Sequence, residues 1–293
     1  LCKKIAKKQQ FYVIGTPVSH SLSPVIHLQV MSRYLCAPFY DIENVEKDEL
    51  TDFVQRVRDE GASGFNITMP HKAAIIPLLD EVSGEAMALN SVNTVVNVNG
   101  RLKGFSTDGE GFYKALCEKT DPSGKNIVML GAGGAANAVL LFLASKNVGK
   151  VTVLARKPET AMTLAQKANA FCKKDICGFD EMTKENLCKY ASSADIFINA
   201  TSLGMQGVEA DFESLDFVKK LPKTALVCDL IYKPEFTNLL KTATQNGNET
   251  MGGIKMLINQ ALIADGFYLG ENALINSKTE TLQMAIKGAL KIT

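Results

Sequence analysis

The 293-residue chain reads as an α/β protein of two domains, and three observations predict this. Short β-rich runs alternate with helix-patterned stretches along nearly the whole length, which implies crossover helices between parallel strands. A turn-rich break, Asp121-Pro122-Ser123-Gly124, separates two such series. The length itself exceeds the roughly 100–150 residues that one core usually organises.

The elements follow in order. Residues 11–15 form the first strand, and Ser23-Pro24 then starts a helix, with Ser23 as N-cap and proline at the first helical position. Residues 39–43 form the second strand. Residues 48–60 make an amphipathic helix with Leu50, Phe53, Val54 and Val57 on one face, stopped by Gly61. A third strand covers 64–68. Residues 92–98 and 101–105 form a hairpin about Asn99-Gly100, a pair that accepts the positive φ angles of a type I′ turn. A helix opens near Asp108. Beyond the break come a strand at 126–130, a glycine loop at 131–134, a helix at 135–145 and a strand at 151–155. Further strands at 195–200 and 224–231 and helices at 254–269 and 279–290 complete the chain. The predicted domains are 1–107 joined by the returning segment 253–293, and 108–252.

Composition excludes several function classes. Hydrophobic residues make up 46% and charged residues 22%, an ordinary globular mixture. Lys plus Arg number 32 against 31 Asp plus Glu, a formal charge of +1, so there is no basic excess for a nucleic-acid surface. Residues 138–144 form a seven-residue apolar run. A membrane span needs roughly 18. The seven cysteines, Cys2, Cys36, Cys117, Cys172, Cys177, Cys188 and Cys228, are odd in number and include no Cys-x-x-Cys pair. That argues against a disulfide scaffold and against a zinc site, so no metal is expected and a reducing cytoplasm is. The first ten residues are basic and lack the apolar stretch of a signal peptide.

Gly131-Ala132-Gly133-Gly134-Ala135-Ala136 lies between a strand and a helix. The first glycine permits the tight turn, the second lets a pyrophosphate approach the backbone, and the small third residue lets helix and strand pack closely. This predicts a Rossmann-like dinucleotide-binding domain. The next strand ends in Ala155-Arg156-Lys157, where an NAD site usually places an acidic residue. Arg156 can grip a 2′-phosphate, and a charge-assisted bond of about 1.5–3 kcal/mol corresponds to roughly ten- to hundredfold preference for NADP(H). A solvated basic pair is the plainer reading of Arg156 and Lys157.

The N-terminal half carries polar clusters at or just beyond strand ends: Ser21 and Ser23; Asn66, Thr68 and Lys72; Asn93; Thr107 and Asp108. Hydroxyls and amides converging with one Lys and one Asp suit a polyhydroxylated, anionic small molecule. Each also has a structural reading. Ser23 or Asp108 serves as a helix cap, and Asn66 and Thr68 as strand-end bonding.

His20-Ser21-Leu22-Ser23-Pro24, Asn66-Ile67-Thr68-Met69-Pro70-His71-Lys72, Ser91-Val92-Asn93-Thr94 and Thr107-Asp108-Gly109 follow the order and spacing of shikimate dehydrogenases. So do the glycine loop, Asn199-Ala200-Thr201-Ser202-Leu203-Gly204-Met205, Asp229-Leu230-Ile231-Tyr232 and Met256-Leu257-Ile258-Asn259-Gln260. The resemblance spans about 11–265. It implies reversible, NADP-dependent reduction of 3-dehydroshikimate to shikimate in aromatic amino-acid and chorismate biosynthesis. It also implies an active site in a cleft between an N-terminal α/β substrate domain and the NADP domain. By position it assigns the substrate carboxylate to Ser21 and Ser23, and the hydroxyls to Asn66, Thr68, Asn93 and Gln260. Tyr232 faces the substrate, and Lys72 and Asp108 are the catalytic pair. Gly131, Ala132, Gly133, Gly134, Ala135, Arg156, Thr201 and Met256 meet the cofactor, with Gly253 beside the nicotinamide.

The chemistry follows from the reaction. Ketone reduction needs a hydride for the carbon and a proton for the developing alkoxide. Lys72 can donate that proton and place positive charge at the oxyanion, while Asp108 orients the ammonium. Three positions depart from the family pattern: Ser106 stands for a usual Asn, Ala155-Arg156-Lys157 for Asn-Arg-Thr, and Lys255 for a common Gly. The rival readings are a quinate or dual quinate/shikimate dehydrogenase, a folate-linked dehydrogenase of similar layout, and a non-catalytic NADP-binding regulatory protein. The expected partner is a small molecule, not nucleic acid or a membrane; a homodimer is compatible with the sequence, which does not set the oligomeric state.

Overall fold

The structure, a computed structural model, describes residues 9–270 apart from His20 and Cys36, together with Leu282, Met284, Ala285, Gly288 and Ala289. Those last five are helical; the rest of the predicted helix at 279–290 lies outside the described residues. The chain divides into two compact units, Leu1–Thr107 with Gln260–Thr293, and Asp108–Asn259.

The first unit holds strands β1 (Gln10–Gly15), β2 (Phe39–Asn44), β3 (Gly64–Ile67), β4 (Glu81–Val82), β5 (Thr94–Val98) and β6 (Arg101–Phe105), in the order β2-β1-β3-β5-β6-β4. β1 pairs in parallel with β2 and β3, while β5 runs antiparallel to β3 and β6. Successive side chains of a strand point to opposite faces, so the apolar run of β1 needs two covers. Tyr12 and Ile14 pack with Phe53, Val54 and Val57 of α2 (Leu50–Glu60). Phe11 and Val13 pack instead with Met31 of α1 (Ser23–Met31) and with Tyr268 and Leu269 of α9 (Ile254–Leu269). The β5–β6 turn carries φ of +54° at Asn99 and +86° at Gly100, as the Asn-Gly pair predicts.

Ser23 is not the N-cap of α1. Leu22 takes that position without a side-chain cap bond. Ser21 Oγ accepts from the Ser23 backbone N–H at 3.2 Å, and the Ser23 hydroxyl turns inward to bond Tyr40.

The second unit opens with α4 (Asp108–Cys117) and continues through β7 (Ile127–Leu130), α5 (Gly134–Ala144), β8 (Val151–Ala155), α6 (Pro158–Cys172), β9 (Cys177–Glu181), α7 (Lys184–Ala191), β10 (Ile196–Asn199), β11 (Leu226–Asp229), α8 (Asn238–Gln245) and β12 (Glu249–Met251). Its sheet runs β12-β11-β10-β7-β8-β9 and every pairing is parallel. Strand order therefore reverses direction between β7 and β10, and ligands of such sheets bind beyond the carboxyl ends of strands at that point. Val128, Leu130, Phe197 and Val227 share a core with Leu187 and Ala191 of α7 and Leu239 and Leu240 of α8.

The return to the first unit falls at Gln260 rather than 253. Gly253 N–H donates to Ile231 O at 3.1 Å, and a Cβ at Gly253 would collide with the Leu230 and Ile231 backbone. The opening of α9 thus stays with the second unit. The sequence reading assigned no element to α3 (Gly84–Leu89), β4, α6, β9, α7, α8 or β12.

Candidate active site

In the second unit, β7 is buried throughout and delivers the chain to Gly131, where φ is +101°. A Cβ there would lie 2.9 Å from Ala200 O and 3.0 Å from Thr201 Cγ2, so glycine serves both the turn and the approach of the β10 loop. Gly133 and Gly134 differ, since a Cβ on either meets nothing within 4 Å. Gly133 is the N-cap of α5 with no side-chain cap bond, and residues 133–135 are exposed. Uncapped first-turn N–H groups and the helix dipole beside open, Cβ-free space fit a pyrophosphate. Arg156 follows β8 directly and is exposed.

The loops after β10 and β11 are tied together by one buried carboxylate. Asp229 Oδ1 accepts from Asn199 Nδ2 at 3.1 Å and from Ile231 N at 3.0 Å, and its Oδ2 accepts from Thr237 Oγ1 at 2.7 Å. Asn199 Oδ1 accepts from Thr201 N at 3.1 Å and from the Thr201 hydroxyl at 2.6 Å. Burial raises the Asp229 carboxyl from 3.8 to about 6 against the pull of these donors. Tyr232 is half-buried and its phenol is raised by desolvation. Met256 is half-exposed in the first turn of α9.

In the first unit, β3 ends where Thr68 N donates to Ile14 O at 2.9 Å and Thr16 N donates to Met69 O at 3.0 Å. A Cβ on Gly15 would strike Thr68 and Met69, so this loop lies against bare backbone. His71 is buried, and because a carbonyl only accepts, its Nε2–H donates to Val45 O at 2.6 Å. Lys72 is half-exposed, with its own carbonyl accepting from Val92 N at 2.8 Å.

Beside this loop lies an amide and hydroxyl cluster. Asn93 Nδ2 donates to Thr107 Oγ1 at 2.9 Å and to Gln260 Oε1 at 3.4 Å, and Thr107 N donates to Asn93 Oδ1 at 3.0 Å. Asn66 Nδ2 donates to Asn93 O at 3.2 Å and Thr94 Oγ1 at 3.1 Å. Asn66 Oδ1 accepts from the hydroxyls of Tyr40 at 2.7 Å and Tyr268 at 3.1 Å. The first unit thus brings together Ser23, Asn66, Asn93 and Gln260, and puts Thr68 and Lys72 on one loop. Asp108, Tyr232 and the glycine loop belong to the second unit.

Residues 13–95 match the family described as shikimate dehydrogenase substrate binding domain, and residues 115–230 that described as shikimate/quinate 5-dehydrogenase. The chain belongs to the shikimate dehydrogenase family. A shikimate dehydrogenase (NADP(+)) of Alkaliphilus metalliredigens is 38% identical over 264 residues, covering 89% of this chain and 91% of that protein. Among solved structures, shikimate 5-dehydrogenase from Listeria monocytogenes in complex with shikimate and NAD superposes with a TM-score of 0.86 at 31% identity, covering 97% of this chain and 98% of that one. The Thermus thermophilus enzyme in complex with NADP(H) and shikimate gives a TM-score of 0.82 at 31% identity, covering 96% and 99%.

Two of the three departures from the shikimate dehydrogenase pattern have a visible local outcome. Ser106 Oγ is buried without a hydrogen-bond partner. Lys255 turns to Glu118, pairing through Nζ and Oε2 just beyond α4. Sequence reasoning missed Tyr40, Tyr268, His27 and Asp265, which lie behind Ser23 and Asn66. One signal was available: Asp265 is the single charged residue of α9 after Lys255. Among the described residues no group of His, Cys, Asp and Glu could hold a metal ion, and no helix is long and apolar enough to cross a membrane.

Proposed function

We propose that this chain catalyses the reversible, NADP-dependent reduction of 3-dehydroshikimate to shikimate in aromatic amino-acid biosynthesis. The observation that carries this reading is the Asn93–Thr107–Gln260 cluster beside the Thr68–Lys72 loop in a member of this family. Directed donors and acceptors at a buried floor suit a ring bearing several hydroxyls, and an ammonium at the edge suits the carbonyl to be reduced. NADPH, when bound, supplies the hydride.

The chain's own residues do the rest. Ser21 Oγ already accepts from Ser23 N, which leaves the Ser21 hydrogen to donate to the substrate carboxylate. Thr68, Asn93 and Gln260 hold the hydroxyls, and Tyr232 faces the substrate. Lys72 Nζ gives its proton to the developing alkoxide and its charge to the oxyanion; in the reverse direction it takes the proton back. Asp108 is its partner in proton handling, since a carboxylate favours the ammonium form. Gly131, Ala132, Gly133, Gly134 and Ala135 receive the pyrophosphate and Arg156 the 2′-phosphate; Thr201 and Met256 also meet the cofactor, and Gly253 lies beside the nicotinamide.

Initial rates on shikimate and on quinate, each with NADP and with NAD, test the reading. Turnover concentrated in shikimate with NADP supports it. Comparable rates on quinate or with NAD move the chain to a broader dehydrogenase, and no turnover with any pair overturns it. Lys72→Ala should lower kcat by about 10²–10⁴-fold with an unchanged melting temperature. Near-normal turnover in that variant removes Lys72 from the chemistry.

A further inference from the structure

The family resemblance assigns Asn66 to a substrate hydroxyl. An asparagine amide offers two acceptor sites on oxygen and two hydrogens on nitrogen. All four are engaged within the first unit, by Tyr40, Tyr268, Asn93 O and Thr94. Asn93 differs in spending one hydrogen on half-exposed Gln260 at 3.4 Å, a long bond that a substrate hydroxyl can replace. Beneath it lies a pair that neither the mechanism nor the cofactor site uses. His27 Nδ1 and Asp265 Oδ1 stand 2.6 Å apart, and both residues are 0% exposed. The His27 ring lies nearly parallel to Tyr40 at 4.7 Å between centroids, and meets the Tyr268 ring at 67° and 6.2 Å. Phe11 closes the other side of Tyr268 at 4.9 Å.

We propose that Asn66 is a positioning residue, the hub of a buried layer in which the His27–Asp265 pair sets Tyr40 and Tyr268, Tyr40 holds the Ser23 hydroxyl, and the two tyrosines fix the amide that holds the Asn93 backbone in place for the substrate. The inference rests on the proposed role of Asn93 as a substrate ligand. Helical spacing makes the arrangement coherent. Ser23 and His27 are four apart on α1, and Asp265 and Tyr268 three apart on α9, so each pair shares a face. The His27–Asp265 hydrogen bond therefore latches the helix carrying Ser23 to the helix carrying Gln260. Gly64 completes the layer: a Cβ there would lie 2.6 Å from Tyr268 Cε1, so the missing side chain lets Tyr268 reach Asn66, two residues along β3. Both Asp265 and the two tyrosines are raised above their ordinary values by burial, which keeps the phenols protonated as donors to Asn66.

The test uses the full chain with Tyr268→Phe and Asp265→Asn. Removing one net hydrogen bond should raise KM for shikimate about three- to tenfold, with kcat and KM for NADP within about twofold of the parent protein. General damage to the fold would move both Michaelis constants together and would count against the proposal. If Asn66 were a ligand, Tyr268→Phe would free an acceptor for the substrate, and an unchanged or lowered KM for shikimate overturns the proposal. Should Asp265→Asn not fold, Tyr268→Phe, which keeps the ring, decides alone. A readout without substrate separates this inference from the proposed activity. The Asn66 side-chain amide hydrogens, followed by NMR, should exchange slowly in the parent protein and clearly faster in Tyr268→Phe; equal exchange overturns the positioning role even if the parent protein turned over no shikimate.

Discussion

Asp229 gathers three donors, from the end of β10 and the loop after β11, on two oxygen atoms, and its environment gives it a measurable pH signature. Its folded value of about 6 lies above the unfolded 3.8. Below 3.8 both states carry the proton; between 3.8 and about 6 the folded state keeps it while the unfolded state has lost it. Stability from this group is therefore fully present at low pH and is lost as pH rises through about 6, a swing on the order of 2–3 kcal/mol. Melting temperatures of the parent protein and of Asp229→Asn between pH 4 and pH 8 should show the parent's relative advantage shrinking as pH rises. A constant gap would mean that the carboxyl titrates alike in both states. The same burial pushes the thiol of Cys177 up to about 12 and raises that of Cys228 further, which makes both poor nucleophiles at neutral pH. Of the five cysteines among the described residues, Cys117 is the exposed one.

At the scale of elements, the β7–α5 turn separates two jobs of glycine that a motif lumps together. Gly131→Ala forces a positive φ and a backbone collision, so it should destabilise the protein by about 1–2 kcal/mol. Gly133→Ala, with φ of −81° and open space around the new Cβ, should leave the melting temperature unchanged. It should instead weaken NADP, about tenfold for each 1.4 kcal/mol of phosphate bonding lost. Calorimetry on both variants, paired with KM for NADP, checks the contrast. This turn was legible in sequence because everything that shapes it is local: a buried run, glycines at fixed offsets, a small-residue helix. The helix at 254–269 was legible for the same reason. β9 was not, since Cys-Gly-Phe-Asp-Glu at a sheet edge has neither a continuous apolar run nor a clean alternation. β4 and β12 were too short to show any period. The Ser23 cap failed because the hydroxyl found Tyr40, seventeen positions away and invisible to a local rule. The layer around Asn66 draws on residues 23, 27, 40, 66, 265 and 268, so only tertiary packing assembles it.

For the whole molecule, the two units should answer to different ligands. Saturation at a hundred times Kd stabilises whatever binds by about 2.7 kcal/mol, and backbone hydrogen exchange reports where that protection falls. NADP should protect residues 131–137 and 156–160 in the second unit, and shikimate residues 66–72 and 91–94 in the first. Protection of one region by both ligands alike would contradict the division of labour. The first unit is also interrupted in sequence, since the chain leaves it at Thr107 and re-enters at Gln260. That interruption imposes an order of events at the ribosome, where polypeptide emerges at about 5–20 residues per second. Asn66 and Asn93 are made first, yet Gln260, Asp265 and Tyr268 are translated only after the whole intervening unit. The contiguous unit can fold as it emerges. The discontinuous one waits, with His27 lacking its carboxylate and Asn66 half its donors, for a delay of several seconds to half a minute that is written into the gene's order.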